Sequence, residues 1–139
     1  MSGCPVATEG MNRLLDSNIL IYAAKPDHSF LDAWMSASTA RVSAISIPEV
    51  LGHSGLTAGD EAIFEEWFSA LLVHAVTEPI LRRAAALRRE RRMKLGDSII
   101  AATALLSGEE LVTRNVDDFK HIAGLHIINP FAEPGKQST

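Results

Sequence analysis

Gly96-Asp97-Ser98-Ile99-Ile100-Ala101-Ala102-Thr103-Ala104-Leu105-Leu106-Ser107-Gly108-Glu109-Glu110-Leu111-Val112-Thr113 decides the architecture. Gly96 interrupts a helical pattern, Asp97 to Ser107 resumes it as an apolar helix, and Glu110 to Thr113 reads as a strand. The same alternation recurs in both directions. Upstream, Glu78 to Arg92 is helical, Val73 to Val76 strand-like, and a helix opens at Gly59-Asp60 and runs to about Leu72. Its apolar positions Ile63, Phe64, Trp67, Phe68 and Leu71 keep i, i+3, i+4 spacing. Ser46 to His53 reads as a helix, Arg41 to Ala44 as a strand, Ser29 to Ser36 and Asn18 to Ala24 as helices, and Arg13 to Asp16 as the first strand. Downstream come a short helix at Asp117 to Ile122 and a last strand at His126 to Ile128. Strands alternating with helices predict an α/β sandwich around a mainly parallel sheet.

The chain has 139 residues, which suits one domain and is short for two. The expected division is a flexible leader over 1–10, one domain over 11–133 and a free tail over 134–139, with Met11 a second candidate start. At this size roughly 68% of the unfolded surface is buried, so a core needs no staples. The one cysteine, Cys4, forms no internal disulfide, which points to a reducing, cytoplasmic setting. The longest stretch free of Lys, Arg, Asp and Glu is the twelve residues His121 to Ala132, against about 20 for a spanning helix. No basic start precedes an apolar run, so no secretory signal is expected.

The formal charge of −4 argues against an indiscriminate nucleic-acid binder, but its distribution does not. Seven of the thirteen Lys and Arg residues fall between Arg82 and Lys94, against one acid, Glu90. A solvated helix face explains such a run equally well.

In open parallel sheets, ligands sit beyond the carboxyl ends of the strands. Asp16 follows the first strand, Glu49 lies shortly after the second, Asp97 starts the apolar helix, and Thr113 to Asp118 follows the late strand. Each acid has an innocent explanation. Asp16 can cap the next helix, Glu49 completes a capping box with Ser46 (Ile45 and Val50 forming its hydrophobic staple), and Asp97 and Asp118 stand at cap-like positions. As a set they are harder to dismiss. Carboxylates about 5 Å apart repel by roughly 3 kcal/mol per pair at an effective dielectric of 20. Such a cluster survives with a bound cation or with raised pKa values. All-oxygen ligands suit Mg²⁺ or Mn²⁺ rather than Zn²⁺.

These residues carry a resemblance. Leu14-Leu15-Asp16-Ser17-Asn18-Ile19-Leu20-Ile21-Tyr22 resembles the opening motif of the PIN-domain family, and Ser46-Ile47-Pro48-Glu49-Val50-Leu51 its glutamate-bearing second motif. Lys94 to Ala104 is similar to the third and most specific motif, and Leu111-Val112-Thr113-Arg114-Asn115-Val116-Asp117-Asp118-Phe119 to the fourth. Order and separations match over residues 12 to 131, most similarly to VapC-type toxins of bacterial toxin–antitoxin pairs.

The resemblance implies a three-layer α/β/α sandwich and a ribonuclease dependent on one or two Mg²⁺ ions, with Mn²⁺ able to substitute. Carried over, Asp16, Glu49, Asp97 and Asp118 are the catalytic, metal-binding acids, Asn115 and Asp117 being the other candidates for the fourth position. Asn18, Thr113 and Asn115 would orient them. Arg88, Arg91, Arg92, Lys94 and Arg114, with Lys120, would meet the RNA backbone. The implied partners are RNA, a cognate VapB-type antitoxin and a second copy of the chain, with no membrane; Trp34, Trp67 and Phe68 could line the antitoxin's groove, although a place in the core is the better expectation for each.

Two other readings remain open at this stage. Asp16-Ser17-Asn18 weakly resembles the start of an Mg²⁺-dependent phosphatase, without its second Asp. A catalytically silent binding module of the same fold would need the acids only as caps. The five histidines make no zinc spacing, and Gly52-His53-Ser54-Gly55-Leu56 lacks the last Gly of a nucleophile elbow.

Overall fold

The computed structural model describes residues 11–132, so the expected leader and tail lie outside the described residues. Within them the chain runs β1 (Arg13–Leu15), α1 (Ser17–Ala23), a 3-10 turn (Pro26–Leu31), α2 (Asp32–Ser36), β2 (Ala40–Ser43), α3 (Ser46–Leu51), α4 (Ala58–Ala70) and β3 (Leu72–His74). It continues with α5 (Glu78–Glu90), α6 (Leu95–Ser107), β4 (Glu110–Val112), a 3-10 turn (Val116–Asp118) and β5 (Ile127–Ile128). The strands form one sheet in the order β3-β2-β1-β4-β5, parallel throughout. The three-layer α/β/α sandwich expected from the sequence is the observed architecture.

The layers follow from the period-two alternation of the strands. Leu14 and Leu111 face one side, where they pack with Ile80, Ala84 and Leu87 of α5 and Ile99, Ile100 and Ala104 of α6. Leu15, Val42 and Val112 face the other, against Ile19, Leu20, Trp34, Val50 and Phe64 from α1 to α4. β1 and β4 lie at the centre, covered on both faces, and accordingly read Leu-Leu and Leu-Val. Gly108, at φ 67°, ends α6 in the left-handed conformation and turns the chain into β4.

Several local expectations shift. Gly96 lies inside α6, one residue after its start, and does not separate two helices. The expected helix over Ser29 to Ser36 begins as a 3-10 turn at Pro26, and the one over Asp117 to Ile122 contracts to a 3-10 turn over Val116 to Asp118. Arg13, at the start of β1, is buried in an ion pair with Glu110 at 3.2 Å, its guanidinium 5.1 Å from the Trp34 ring centre. Trp34 is therefore a core residue, and Trp67 and Phe68 are half-buried against the same core.

The strand order reverses between β1 and β4. β1 leads to α1 on one face, whereas α6 enters β4 from the other. Their carboxyl ends open a crevice at that reversal, where ligands of open α/β sheets bind.

Candidate active site

Asp16 sits at the head of the crevice. Its backbone N–H extends the ladder to the Val112 carbonyl at 2.9 Å, so the residue is delivered straight from β1. The side chain is 5% exposed and held at both oxygens. Oδ1 accepts from the Ser17 backbone N–H at 2.7 Å, and Oδ2 accepts from Thr113 Oγ1 at 2.8 Å. Thr113 Oγ1 in turn accepts from the Asn115 N–H at 3.0 Å. The capping reading of Asp16 is thus correct as geometry, yet two bonds do not offset its burial. Desolvation raises its pKa from 3.8 to about 7, with the charges of Asp97 and Glu49 adding to the rise and the Thr113 and Ser17 bonds opposing it.

Glu49 comes from α3, on the same face of the sheet as α1. No capping box forms there: the N-cap is Ile45 and makes no side-chain bond, and Ser46 is already helical. The Ser46 hydroxyl turns instead to Ser17 Oγ, at 2.8 Å, and Ser17 Oγ donates to Glu49 Oε1 at 2.6 Å. Ser17 has one hydroxyl proton, so Ser46 is the donor to Ser17 and the chain runs Ser46, Ser17, Glu49. The other Glu49 oxygen lies over Gly96, in the volume a Cβ at 96 would occupy.

Asp97 is the third residue of α6, half-buried at the helix's positive end. Desolvation raises its pKa from 3.8 to about 6; Asp118 and Glu49 add to the rise, and Lys94 opposes it. Of the three candidates for the fourth position, Asp118 is the one whose charge bears on Asp97. Asp117 pairs with Lys120 at 3.0 Å, and Asn115 contributes its backbone N–H to Thr113. Asn18 lies in the first turn of α1, with Oδ1 buried and lacking a hydrogen-bond partner. Its side chain makes no hydrogen bond to the four acids among the described residues.

Two cavities meet at Asp117 and Asp118. One, of about 370 Å³, is lined by Arg91, Arg92, Met93, Lys94, Asp97 and His121 besides the shared acids. The other, of about 560 Å³, is lined by Arg114, Asn115, Val116 and Asn129. Arg88 lies further along α5, beside Arg89 and Arg92, and donates to the Met93 carbonyl at 3.2 Å. It thereby ties the end of α5 to the loop before α6.

The donor set is all oxygen and strongly anionic, with Lys94 the cation that bears on Asp97. Such a set fits a hard divalent cation and does not fit zinc or copper. Among the described residues no three His, Cys, Asp or Glu side chains are arranged as they stand to hold a metal ion. An ion would complete its shell from water and substrate oxygens, as Mg²⁺ ordinarily does. Ser17, Ser46 and Gly96 are the members of this site that sequence reasoning missed. Gly96 did carry a signal: a glycine in the first turn of an otherwise apolar helix costs roughly 0.5–1 kcal/mol relative to Ala, which needs a reason.

The PIN domain family profile matches residues 13–125. The chain is 32% identical over 130 residues to "Ribonuclease VapC10" of Mycobacterium tuberculosis, an alignment covering 88% of this chain and 95% of that protein. Among solved structures, the "Toxin-antitoxin complex from Klebsiella pneumoniae" superposes with a TM-score of 0.72 at 30% identity, covering 88% of this chain and all of that one. VapBC2 from Rickettsia felis, bound to a DNA fragment from its promoter, superposes with a TM-score of 0.71 at 23% identity, covering 84% and 97%.

Proposed function

The chain belongs to the PIN-domain family, and from that premise we propose that it is a metal-dependent endoribonuclease, the toxin of a VapBC-type toxin–antitoxin pair. The observation that carries the reading is the buried Asp16 carboxylate, fixed at the strand-order reversal and pushed up to about 7 by burial and by the charges of Asp97 and Glu49. A purely structural cap is not expected where burial and two neighbouring carboxylates all oppose its ionisation.

Asp16, Glu49, Asp97 and Asp118 would hold one or two Mg²⁺ ions, with Mn²⁺ able to replace them. When bound, the cation supplies a water acidified towards neutral pH and neutralises charge developing at the scissile phosphate. The chain's own residues supply the geometry. Thr113 and the Ser17 N–H fix both oxygens of Asp16, and the Ser17 hydroxyl aims Glu49. Preset carboxylates need no reorganisation at the moment of reaction. Arg91, Arg92 and Lys94 border the acids across one cavity, where they would hold the RNA backbone against an otherwise repellent pocket.

Relatives of this kind are solved as toxin–antitoxin complexes, one of them on promoter DNA. The corresponding partner here is a VapB-type antitoxin, and a homodimer is the assembly expected of the complex. No helix among the described residues is long and apolar enough to cross a membrane, which is consistent with action on cytoplasmic RNA. The test is cleavage of a labelled mixed RNA pool with Mg²⁺, with Mn²⁺ and with EDTA, beside Asp97→Asn. Cutting that requires both metal and Asp97 is the expected result. Cutting that survives EDTA or the substitution overturns the site.

A further inference from the structure

Arg114 follows Thr113 at the end of β4 and is held in an unusual way. Its guanidinium carbon lies 4.2 Å from the centre of the Phe131 ring and 4.8 Å from that of Tyr22. The two rings meet edge to face at 5.1 Å. Phe131 is itself wedged against His28 at 5.2 Å and Phe30 at 5.1 Å, and its N–H is tied to Asn129 Oδ1 at 2.9 Å. The mount is therefore assembled from α1, the 3-10 turn after it and the turn following β5. Within it, Arg114 makes no hydrogen bond or ion pair with any described residue. Among the described residues none of its five N–H donors has an acceptor, and it stands beside a cavity that Asp117 and Asp118 also line.

An exposed arginine next to two carboxylates ordinarily folds onto one of them. Here the guanidinium rests against two rings that lie on the same side of it, so the side chain is ordered without spending a hydrogen bond on any described residue. That is the geometry of a preorganised anion grip, because the rotamer entropy is lost before the ligand arrives. Its position is complementary to the basic segment between α5 and α6. Arg91, Arg92 and Lys94 line one cavity with Asp97 and Asp118, and Arg114 lines the other with Asp118. A backbone crossing the acids would meet cations on both flanks.

We propose that Arg114, seated on the Tyr22–Phe131 pair, is a positioning residue that grips an RNA backbone phosphate on the β4 side of Asp118; the proposal rests on the ribonuclease reading. It is tested by binding of a fluorescein-labelled mixed-sequence single-stranded RNA to the Asp97→Asn full chain, followed by anisotropy across salt concentrations. Adding Arg114→Ala should weaken binding about tenfold near 100 mM salt and lower the log–log salt slope by about 0.7, the value of one single-strand phosphate contact. Arg114→Lys should keep the slope but bind more weakly than Arg, because the point charge lacks the ring-held fork. Phe131→Leu, which loosens the mount and keeps the charge, should weaken binding with the slope retained. In the otherwise native chain, Arg114→Ala should raise KM and leave kcat nearly unchanged.

Unchanged affinity and slope in Arg114→Ala would overturn the proposal, as would a loss of Tm shared by Arg114→Ala and Phe131→Leu with no change in slope. If Arg114→Ala fails to fold, the lysine and Phe131 variants decide it by the same readout. The two readings fail separately. A wild-type chain that cuts no RNA but loses slope on Arg114→Ala sinks the nuclease and keeps the grip; a chain that cuts normally with slope unchanged sinks the grip alone.

Discussion

Glu49 rests its carboxylate in the space that a side chain at Gly96 would fill. The contact joins α3 to the first turn of α6 and brings Glu49 close enough to Asp97 to raise its pKa. Gly96 has an ordinary helical φ, so nothing in its own backbone demands glycine. Gly96→Ala should therefore separate stability from activity. The new methyl displaces only the end of an exposed, flexible side chain, and Ala improves the helix by up to about 1 kcal/mol. Thermal unfolding should show Tm unchanged or higher. RNA cleavage should fall by tenfold or more, because a carboxylate moved by about 1 Å no longer matches the site. Full activity in Gly96→Ala would show that the position of Glu49 does not matter.

Asp16→Asn should stabilise the metal-free protein while abolishing cleavage. The amide can still accept from the Ser17 N–H through its oxygen, so the start of α1 keeps its cap. The change removes a buried charge and its repulsion from Asp97 and Glu49. A gain of roughly 1–3 kcal/mol, or several degrees in Tm, is expected in EDTA near pH 7. Calorimetry that found Asp16→Asn less stable than wild type would show that the cap outweighs the repulsion.

The sheet and the layers were legible because they depend on local patterns, apolar runs and helical spacing; the four acids are named by their motifs and the family resemblance, since spacing alone also allows each to be a cap. What was not legible depends on contacts distant in sequence. Ser46 followed by Glu49 has the spacing of a capping box, but Ser46 sits one residue inside α3 and its hydroxyl is claimed by Ser17 from α1. The sequence marked Arg114 as a cation that would meet the RNA backbone but gave no sign of its mount, which comes from Tyr22 in α1 and Phe131 after β5. Among Asn115, Asp117 and Asp118 the sequence favoured Asp118 only for its place before Phe119; the Asp117–Lys120 pair and the effect of Asp118 on Asp97 are contacts that spacing does not show.

Stability without metal should fall as pH rises, the reverse of the usual carboxylate trend. Asp16 has a folded pKa of about 7 and Asp97 of about 6, against 3.8 for each when unperturbed. The folded chain then binds more protons than the unfolded one between about pH 4 and 7, so folding weakens as pH climbs through that window and levels above it. Differential scanning calorimetry in EDTA should give a higher Tm near pH 5 than near pH 8. Mg²⁺ requires the ionised acids, so the Tm gained on adding it should grow over the same interval. A metal-free Tm that rises from pH 5 to 8 would contradict the raised pKa values.

Ser17 contributes to the site twice, through different atoms, and the two contributions can be separated. Its backbone N–H bonds Asp16, which Ser17→Ala leaves intact, and its hydroxyl bonds Glu49, which Ser17→Ala removes. A hydrogen bond to a charged acceptor contributes about 1.5–3 kcal/mol, so a fall in kcat of roughly tenfold or more is expected if Glu49 must be aimed. Stability should fall too, because the wholly buried Ser46 hydroxyl loses its acceptor. Adding Ser46→Ala removes that orphaned donor. The double variant should recover much of the lost Tm and none of the lost kcat. Recovery of activity along with stability would mean that Ser17 acts only by holding α1 against α3, and that Glu49 aims itself.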